Sequence, residues 1–152
     1  MTTSTRLPDF DLETSGSGRI RRADLQGRRT VLYFYPKDDT PGCTIEGQEF
    51  TRLLPEFREQ GVDIFGVSAD SGESHDRFIA KCSLGFPLIS DPEHVLIGPL
   101  NLWVEKRFAG NTYMGIERST FLVGSDGTIE REWRSVKAPG HADEVLEAVG
   151  AG

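Results

Sequence analysis

Cysteine is scarce in this chain. Only Cys43 and Cys82 occur among its 152 residues, too few for a disulfide scaffold or for a structural zinc site, which takes about four ligands close in sequence. The three histidines, His75, His94 and His141, are scattered without ligand spacing, so no metal is expected. No apolar run approaches the roughly 18 residues of a membrane-spanning helix. The stretch from Met1 to Arg6 lacks the apolar segment of a secretory signal. Positive charge is also short: 17 Lys and Arg stand against 24 Asp and Glu, a formal net charge of −7. That is the opposite of the basic patch expected of a nucleic-acid binder. Repeats and low-complexity tracts are missing. The expectation is a cytoplasmic protein that engages neither membrane nor nucleic acid. A reducing cytoplasm disfavours a structural disulfide, so each thiol is either a small buried hydrophobe or a redox-active group.

What is present suits one α/β domain over residues 1–152. The hydrophobic fraction of 37% supports a core. Residues 1–12 read as extended, and 14–18 as a Gly- and Ser-rich turn. The run Thr30-Val31-Leu32-Tyr33-Phe34-Tyr35-Pro36 has the continuous apolar, β-branched character of a strand covered on both faces. Phe50, Leu53, Leu54 and Phe57 then recur at helical spacing. That helix is predicted to begin near residues 40–43, with Thr40 as cap and Pro41 in the first turn, and to end at Gly61. Pro55 is expected to kink or split it. A second strand is predicted over 62–68, which makes a right-handed βαβ unit. A second helix is predicted over 72–83, burying Phe78, Ile79 and Cys82 and closed by Gly85. Residues 86–90 are extended, and 92–117 show no clear period. A strand over 119–123, a hairpin turn over 124–127, a strand over 128–136 and a helix over 140–149 complete the pattern. The expected architecture is a mixed central sheet with helices on both faces.

Cys43 carries the sharpest chemical signal. It lies where a buried strand delivers the chain into a helix, near the first turn. Free backbone N–H groups and the positive end of the helix dipole stabilise a thiolate there. Cysteines so placed can have a thiol pKa lowered from ~8.5 into the range ~3.5–7.5, and the thiolate is the nucleophile. The Thr40 hydroxyl, three residues earlier, can reach the same space. Pro36 ends the strand without an N–H and can wall the pocket.

The stretch Tyr35-Pro36-Lys37-Asp38-Asp39-Thr40-Pro41-Gly42-Cys43-Thr44-Ile45-Glu46 resembles the active-site segment of the peroxiredoxins, in the form of the PrxQ or bacterioferritin comigratory branch. Trp103-Val104-Glu105-Lys106, the block Gly110-Asn111-Thr112-Tyr113-Met114-Gly115-Ile116-Glu117-Arg118-Ser119-Thr120-Phe121, and the ending Trp133 to Lys137 with Gly140-His141-Ala142 are similar to the same branch. The resemblance covers nearly the whole chain and implies a thioredoxin-like fold. It implies a peroxidase that reduces hydrogen peroxide and organic (alkyl) hydroperoxides. Cys43 would be the peroxidatic cysteine and would become a sulfenic acid. Thr40 would hydrogen-bond the peroxide and the thiolate, Pro36 would shield the site, and Arg118 would favour the thiolate and stabilise the developing charge. The enzyme would need no metal, haem or flavin, would be re-reduced by thioredoxin or a similar dithiol, and would be a monomer.

The chain departs from the commonest PrxQ pattern at one position. Many members carry a resolving cysteine five residues after the peroxidatic one, and here that residue is Gln48. By resemblance to other members of the branch, Cys82 in the following helix would resolve; the competing reading is plain core packing beside Phe78 and Ile79. Two other function classes stand beside the peroxidase. A disulfide oxidoreductase on the same fold is disfavoured because no C-x-x-C occurs. A non-enzymatic redox sensor, or a holdase-like binding protein, would use the same Cys43. Trp103 and Trp133 are read as packing or partner-surface residues, and Tyr113 and Met114 as core, with the border of a substrate pocket as the alternative. The group Arg21, Arg22, Arg28 and Arg29 is read as a solvated face.

Overall fold

The computed structural model describes residues 5–151. Residues 1–4, part of the predicted extended N-terminal stretch, lie outside the described residues. The elements in chain order are β1 Thr5–Arg6, β2 Asp11–Thr14, β3 Gly18–Arg21, β4 Arg29–Phe34, α1 Pro41–Glu59, β5 Val62–Ser68 and α2 Gly72–Cys82. They continue with β6 Leu88–Ser90, β7 Trp103–Phe108, β8 Asn111–Ile116, β9 Ser119–Val123, β10 Thr128–Trp133 and α3 His141–Ala151. Among the described residues, eight strands form a mixed sheet in the order β1-β10-β9-β4-β5-β6-β2-β3, and β7 pairs only with β8. No helix of the described residues is long and apolar enough to cross a membrane.

Alternation along β4 builds two cores. Val31 and Tyr33, followed by Tyr35, face one side, where they meet Phe50, Leu53, Leu54 and Phe57 of α1, Phe78 of α2, and Val145 and Val149 of α3. Leu32 and Phe34 face the other, where they meet Phe121, Leu96, Ile97, Leu100 and Leu102. All three α-helices pack on the first core, and the short 3-10 helix Arg22–Leu25 packs Leu25 into the second. β4, β5 and β6 are parallel neighbours in chain order, and successive right-handed crossovers that step the same way lay their helices on the same face. The opposite face is covered by irregular chain. Asp91 shapes it: its carboxylate accepts the N–H groups of Val95, Leu96 and Ile97 at 2.7, 2.9 and 2.9 Å.

The stretch without a clear period contains the β7–β8 hairpin. Most of its side chains are exposed, so hydrophobic alternation has nothing to report. Tyr113 and Met114 are 51% and 49% exposed, and the core assignment for them is wrong. Trp103 packs at a tilt of 45° on His94 with ring centroids 4.4 Å apart, and Trp133 packs edge-on to His141. Of the four arginines near the N-terminus, Arg21 and Arg28 are exposed and Arg22 and Arg29 half-buried, with ion pairs to Asp24, Asp63, Asp9 and Glu130 respectively.

Two helix details differ from expectation. α2 stops at Ser83, which takes the left-handed conformation at φ 55, before Gly85 is reached; Cys82 is consequently only half-buried. Pro55 neither splits nor ends α1. Its ring lies on the exposed side, while Phe50, Leu53, Leu54 and Phe57 keep one unbroken apolar face on the sheet. Pro55 removes one N–H, that to the Thr51 carbonyl, and burial of the face outweighs that loss. Pro55→Ala should restore the hydrogen bond and raise stability in urea by about 1–2 kcal/mol, after allowance for the freer unfolded chain. No gain in the urea midpoint would mean that the helix already tolerates the ring without cost.

Candidate active site

The sheet brings the three chemical groups to one end. β4 and β9 are antiparallel, with Phe34 opposite Ser119. Arg118, one residue before β9, therefore stands at the end where β4 hands the chain to α1. Thr40 is the N-cap position of α1, Pro41 is in its first turn, and Cys43 follows. Gly42 and Cys43 are in the opening turn, whose N–H groups have no carbonyl within the helix. Cys43 is 1% exposed.

Arg118 bridges two side chains of α1. Its Nη2 donates to Cys43 Sγ at 3.4 Å, and its Nη1 donates to Glu46 Oε1 at 2.6 Å. Glu46 lies three residues beyond Cys43, so both project from the same side of the helix. Gly42 leaves room for this approach: a Cβ there would sit 3.0 Å from Arg118 Nη2. Burial pushes the Glu46 carboxyl up to about 7, against the pull of the Arg118 charge. Its second oxygen is buried and has no hydrogen-bond partner. Burial also holds the Tyr33 phenol well above its ordinary range, and the charges of Glu46 and Cys43 act in the same direction. Lys106 of β7 is half-buried, with no ion pair among the described residues. Burial and the Arg118 charge lower its pKa, while the charges of Cys43 and Glu117 work to raise it.

The structure thus brings Cys43 and Arg118 into contact, with Thr40 and the half-buried Pro36 in the segment that leads into Cys43. It does not join Thr40 to the sulfur. The Thr40 hydroxyl donates to the Lys37 carbonyl at 3.0 Å and makes no capping bond. Among the described residues the only hydrogen bond to Cys43 Sγ comes from Arg118. Cys43 and Cys82 are both free thiols. Sequence reasoning assigned no role to Glu46, although its i,i+3 relation to Cys43 was a usable signal. It also gave no role to Asp38 and His75, which form a buried pair with Nδ1 and Oδ2 2.8 Å apart.

The profile of the AhpC/TSA family matches residues 3–132. Peroxiredoxin Bcp of Xanthomonas campestris pv. campestris is 48% identical over 143 residues, spanning 94% of this chain and 89% of the relative. Peroxiredoxin Bcp of Bacillus subtilis is 42% identical over 144 residues, spanning 95% and 92%. Among solved structures, a bacterioferritin comigratory protein of Xanthomonas campestris, described through trapped intermediate and ligand complexes for its alkyl peroxide reduction activity, superposes with a TM-score of 0.88. It shows 46% identity and covers 93% of this chain and 90% of its own. A cysteine-to-serine mutant of Xylella fastidiosa PrxQ superposes at 0.92 with 43% identity, covering 99% and 96%.

The raised Glu46 pKa has a stability consequence. Between about 4.5 and about 7 the folded chain holds a proton on Glu46 that the unfolded chain has released. Stability contributed by this group is therefore full below that window and declines as pH rises through it. Glu46→Gln should flatten this part of the stability profile, measured by urea unfolding at a series of pH values. An unchanged slope in the variant would assign the titration to another group.

Proposed function

Since the chain belongs to the AhpC/TSA family, as a thiol-dependent peroxidase of the peroxiredoxin Bcp branch, we propose that Cys43 is its peroxidatic cysteine and that Arg118, Thr40 and Pro36 complete the site. The observation that carries the assignment is the Arg118 guanidinium 3.4 Å from a buried sulfur in the first turn of a helix. The Cys43 thiolate attacks one oxygen of the peroxide. An S–O bond forms as the O–O bond breaks, the sulfur becomes a sulfenic acid, and the departing hydroxide or alkoxide takes up a proton and leaves as water or alcohol.

Each neighbour has a role that its chemistry supports. Arg118 stays charged and offers several donors in a fixed fork, so it can hold the sulfur and the developing oxygen charge together. Thr40 directs its own proton to Lys37, which leaves its lone pairs to accept the O–H of the peroxide. The free N–H groups of Gly42 and Cys43 can donate to a peroxide oxygen. Glu46 is a positioning residue that fixes Arg118 through Nη1. Hydrogen peroxide and organic hydroperoxides are the proposed substrates. The electrons come from sulfur, so no metal, haem or flavin is required.

Cys82 is the proposed resolving cysteine. Its thiol attacks the Cys43 sulfenic acid, an S–S bond forms and water leaves. Thioredoxin or a similar dithiol then reduces the disulfide, and a monomer in the reducing cytoplasm is the proposed setting. A disulfide requires Cα atoms within about 7 Å. Cys43 is buried in the first turn of α1 and Cys82 sits in the last turn of α2, so the reaction calls for local opening of one or both.

Cys43→Ser should abolish peroxide consumption with the fold intact, because an alcohol is not ionised near neutral pH; residual thioredoxin-coupled turnover would refute the assignment. Arg118→Ala should slow sulfenic acid formation on the order of 10²–10³-fold, as loss of one preorganised donor does. It should also slow alkylation of Cys43 near neutral pH, and wild-type rates in both assays would take Arg118 out of the site. Cys82→Ser should consume one equivalent of peroxide, stall as sulfenic acid and over-oxidise more readily. Normal thioredoxin-supported turnover in that variant would make Cys82 a packing residue.

A further inference from the structure

Two adjacent aspartates in the loop between β4 and α1 reach opposite ends of α2. Asp38 turns inward. Its Oδ2 accepts from Ser74 Oγ at 2.8 Å and faces His75 Nδ1 at 2.8 Å, and its Oδ1 accepts from the Tyr35 hydroxyl at 2.6 Å. Ser74 and His75 lie in the opening turn of α2. Asp39 turns outward, its backbone in the left-handed region at φ 60. Its Oδ2 is 2.9 Å from Lys81 Nζ, and Lys81 precedes Cys82 in the last turn of the same helix.

The inner contact is built to be rigid. His75 and Asp38 side chains are 0% and 4% exposed. His75 Nε2 faces the Ile89 carbonyl at 3.0 Å. Both ring nitrogens thus face an oxygen, and the ring is held from two sides. Burial works to raise the Asp38 pKa, but the hydrogen bonds from His75, Tyr35 and Ser74 and the His75 charge together hold it below the usual carboxylate range. The Asp38 N–H donates to Asp70 Oδ2 at 2.8 Å, and Ser68 Oγ donates to the same oxygen at 2.7 Å. The loop that carries Thr40 into Cys43 is thereby fixed to the end of β5 and to both ends of α2.

We propose that Asp38, Asp39, His75 and Lys81 form a clamp that sets how often α2 leaves its place, and so how fast Cys82 reaches the Cys43 sulfenic acid. The clamp is a set of positioning residues for the resolving step and rests on Cys82 being the resolving cysteine. Its two halves are unequal. The Lys81–Asp39 pair is exposed and screened by solvent, so its loss changes the open population by only a few-fold. The His75–Asp38 contact is buried, and removing the ring leaves the Asp38 carboxylate and the Ile89 carbonyl each short of a buried partner, which acts far more strongly. A tight clamp prolongs the sulfenic acid and exposes it to a second peroxide; a loose one shortens its life.

The test measures three quantities on the full chain: the rate of Cys43–Cys82 disulfide formation after one equivalent of hydrogen peroxide, the rate of the peroxide step in a Cys82→Ser background, and the peroxide concentration that half over-oxidises Cys43. Lys81→Ala and Asp39→Asn are surface changes that spare the fold, and each should accelerate disulfide formation about two- to fivefold. His75→Gln should accelerate it tenfold or more, and over-oxidation should require correspondingly more peroxide. The peroxide step should change less than the disulfide step in each variant. Ala148→Gly weakens α3 away from the clamp and should leave the disulfide rate unaltered. Unchanged disulfide rates in Lys81→Ala, Asp39→Asn and His75→Gln, or equal acceleration by Ala148→Gly, overturn the clamp while leaving Cys82 as the resolving residue. No Cys43–Cys82 disulfide in the wild type overturns both.

Discussion

A guanidinium lies 3.4 Å from the buried Cys43 sulfur, and three separate features hold it there. The β4–β9 register delivers Arg118 to the end of the sheet where α1 begins. Glu46 grips its Nη1 from one turn further along that helix. Gly42 leaves the gap through which Nη2 reaches sulfur. The charge could not occupy this place by local sequence alone, since Cys43 and Arg118 are 75 residues apart. Only the crossover from β4 through α1 to β5, with β9 paired on the far edge of β4, brings them together. The buried carboxylate is the cost of this arrangement. Glu46 is pushed toward neutrality by burial even beside a permanent cation, and the fold accepts that penalty to fix the direction of one guanidinium.

Much of this is legible in the amino-acid sequence. Strand β4 declares itself because it is buried on both faces and has no polar positions between Val31 and Tyr35. Helix α1 declares itself through Phe50, Leu53, Leu54 and Phe57, which fall on one stripe. What could not be read has physical reasons. The β7–β8 hairpin is exposed on most positions, so it carries no burial period, and its Tyr113 and Met114 were misplaced in the core for the same reason. Pro55 was weighed by its local cost, whereas the buried apolar stripe on the opposite side of the helix decides the outcome. The placement of α1 and α2 on one face follows from the strand order β4-β5-β6, which is a pairing property that a linear reading does not contain.

The candidate site divides along the same line. Cys43, Thr40 and Pro36 belong to one short segment, and a strand-to-helix junction was enough to raise Cys43. Arg118 came only through the resemblance of a second block. Glu46 is silent within the motif, because the partner that gives it a role, Arg118, lies 72 residues away on another element. Thr40 shows how little a position alone says of a hydroxyl: it occupies the cap site, yet its proton goes to Lys37 and no capping bond is made. Asp38 and His75 were invisible as a pair, since nothing in either residue's neighbourhood announces a partner on another element.

The assignment of Cys43 is tested most directly by peptide mass spectrometry of the wild-type protein, quenched after one equivalent of hydrogen peroxide. If Cys43 is the nucleophile, every oxidised molecule carries the change at Cys43, as a trapped sulfenic acid or as a disulfide to Cys82. Molecules oxidised at Cys82 with Cys43 still a free thiol would contradict it.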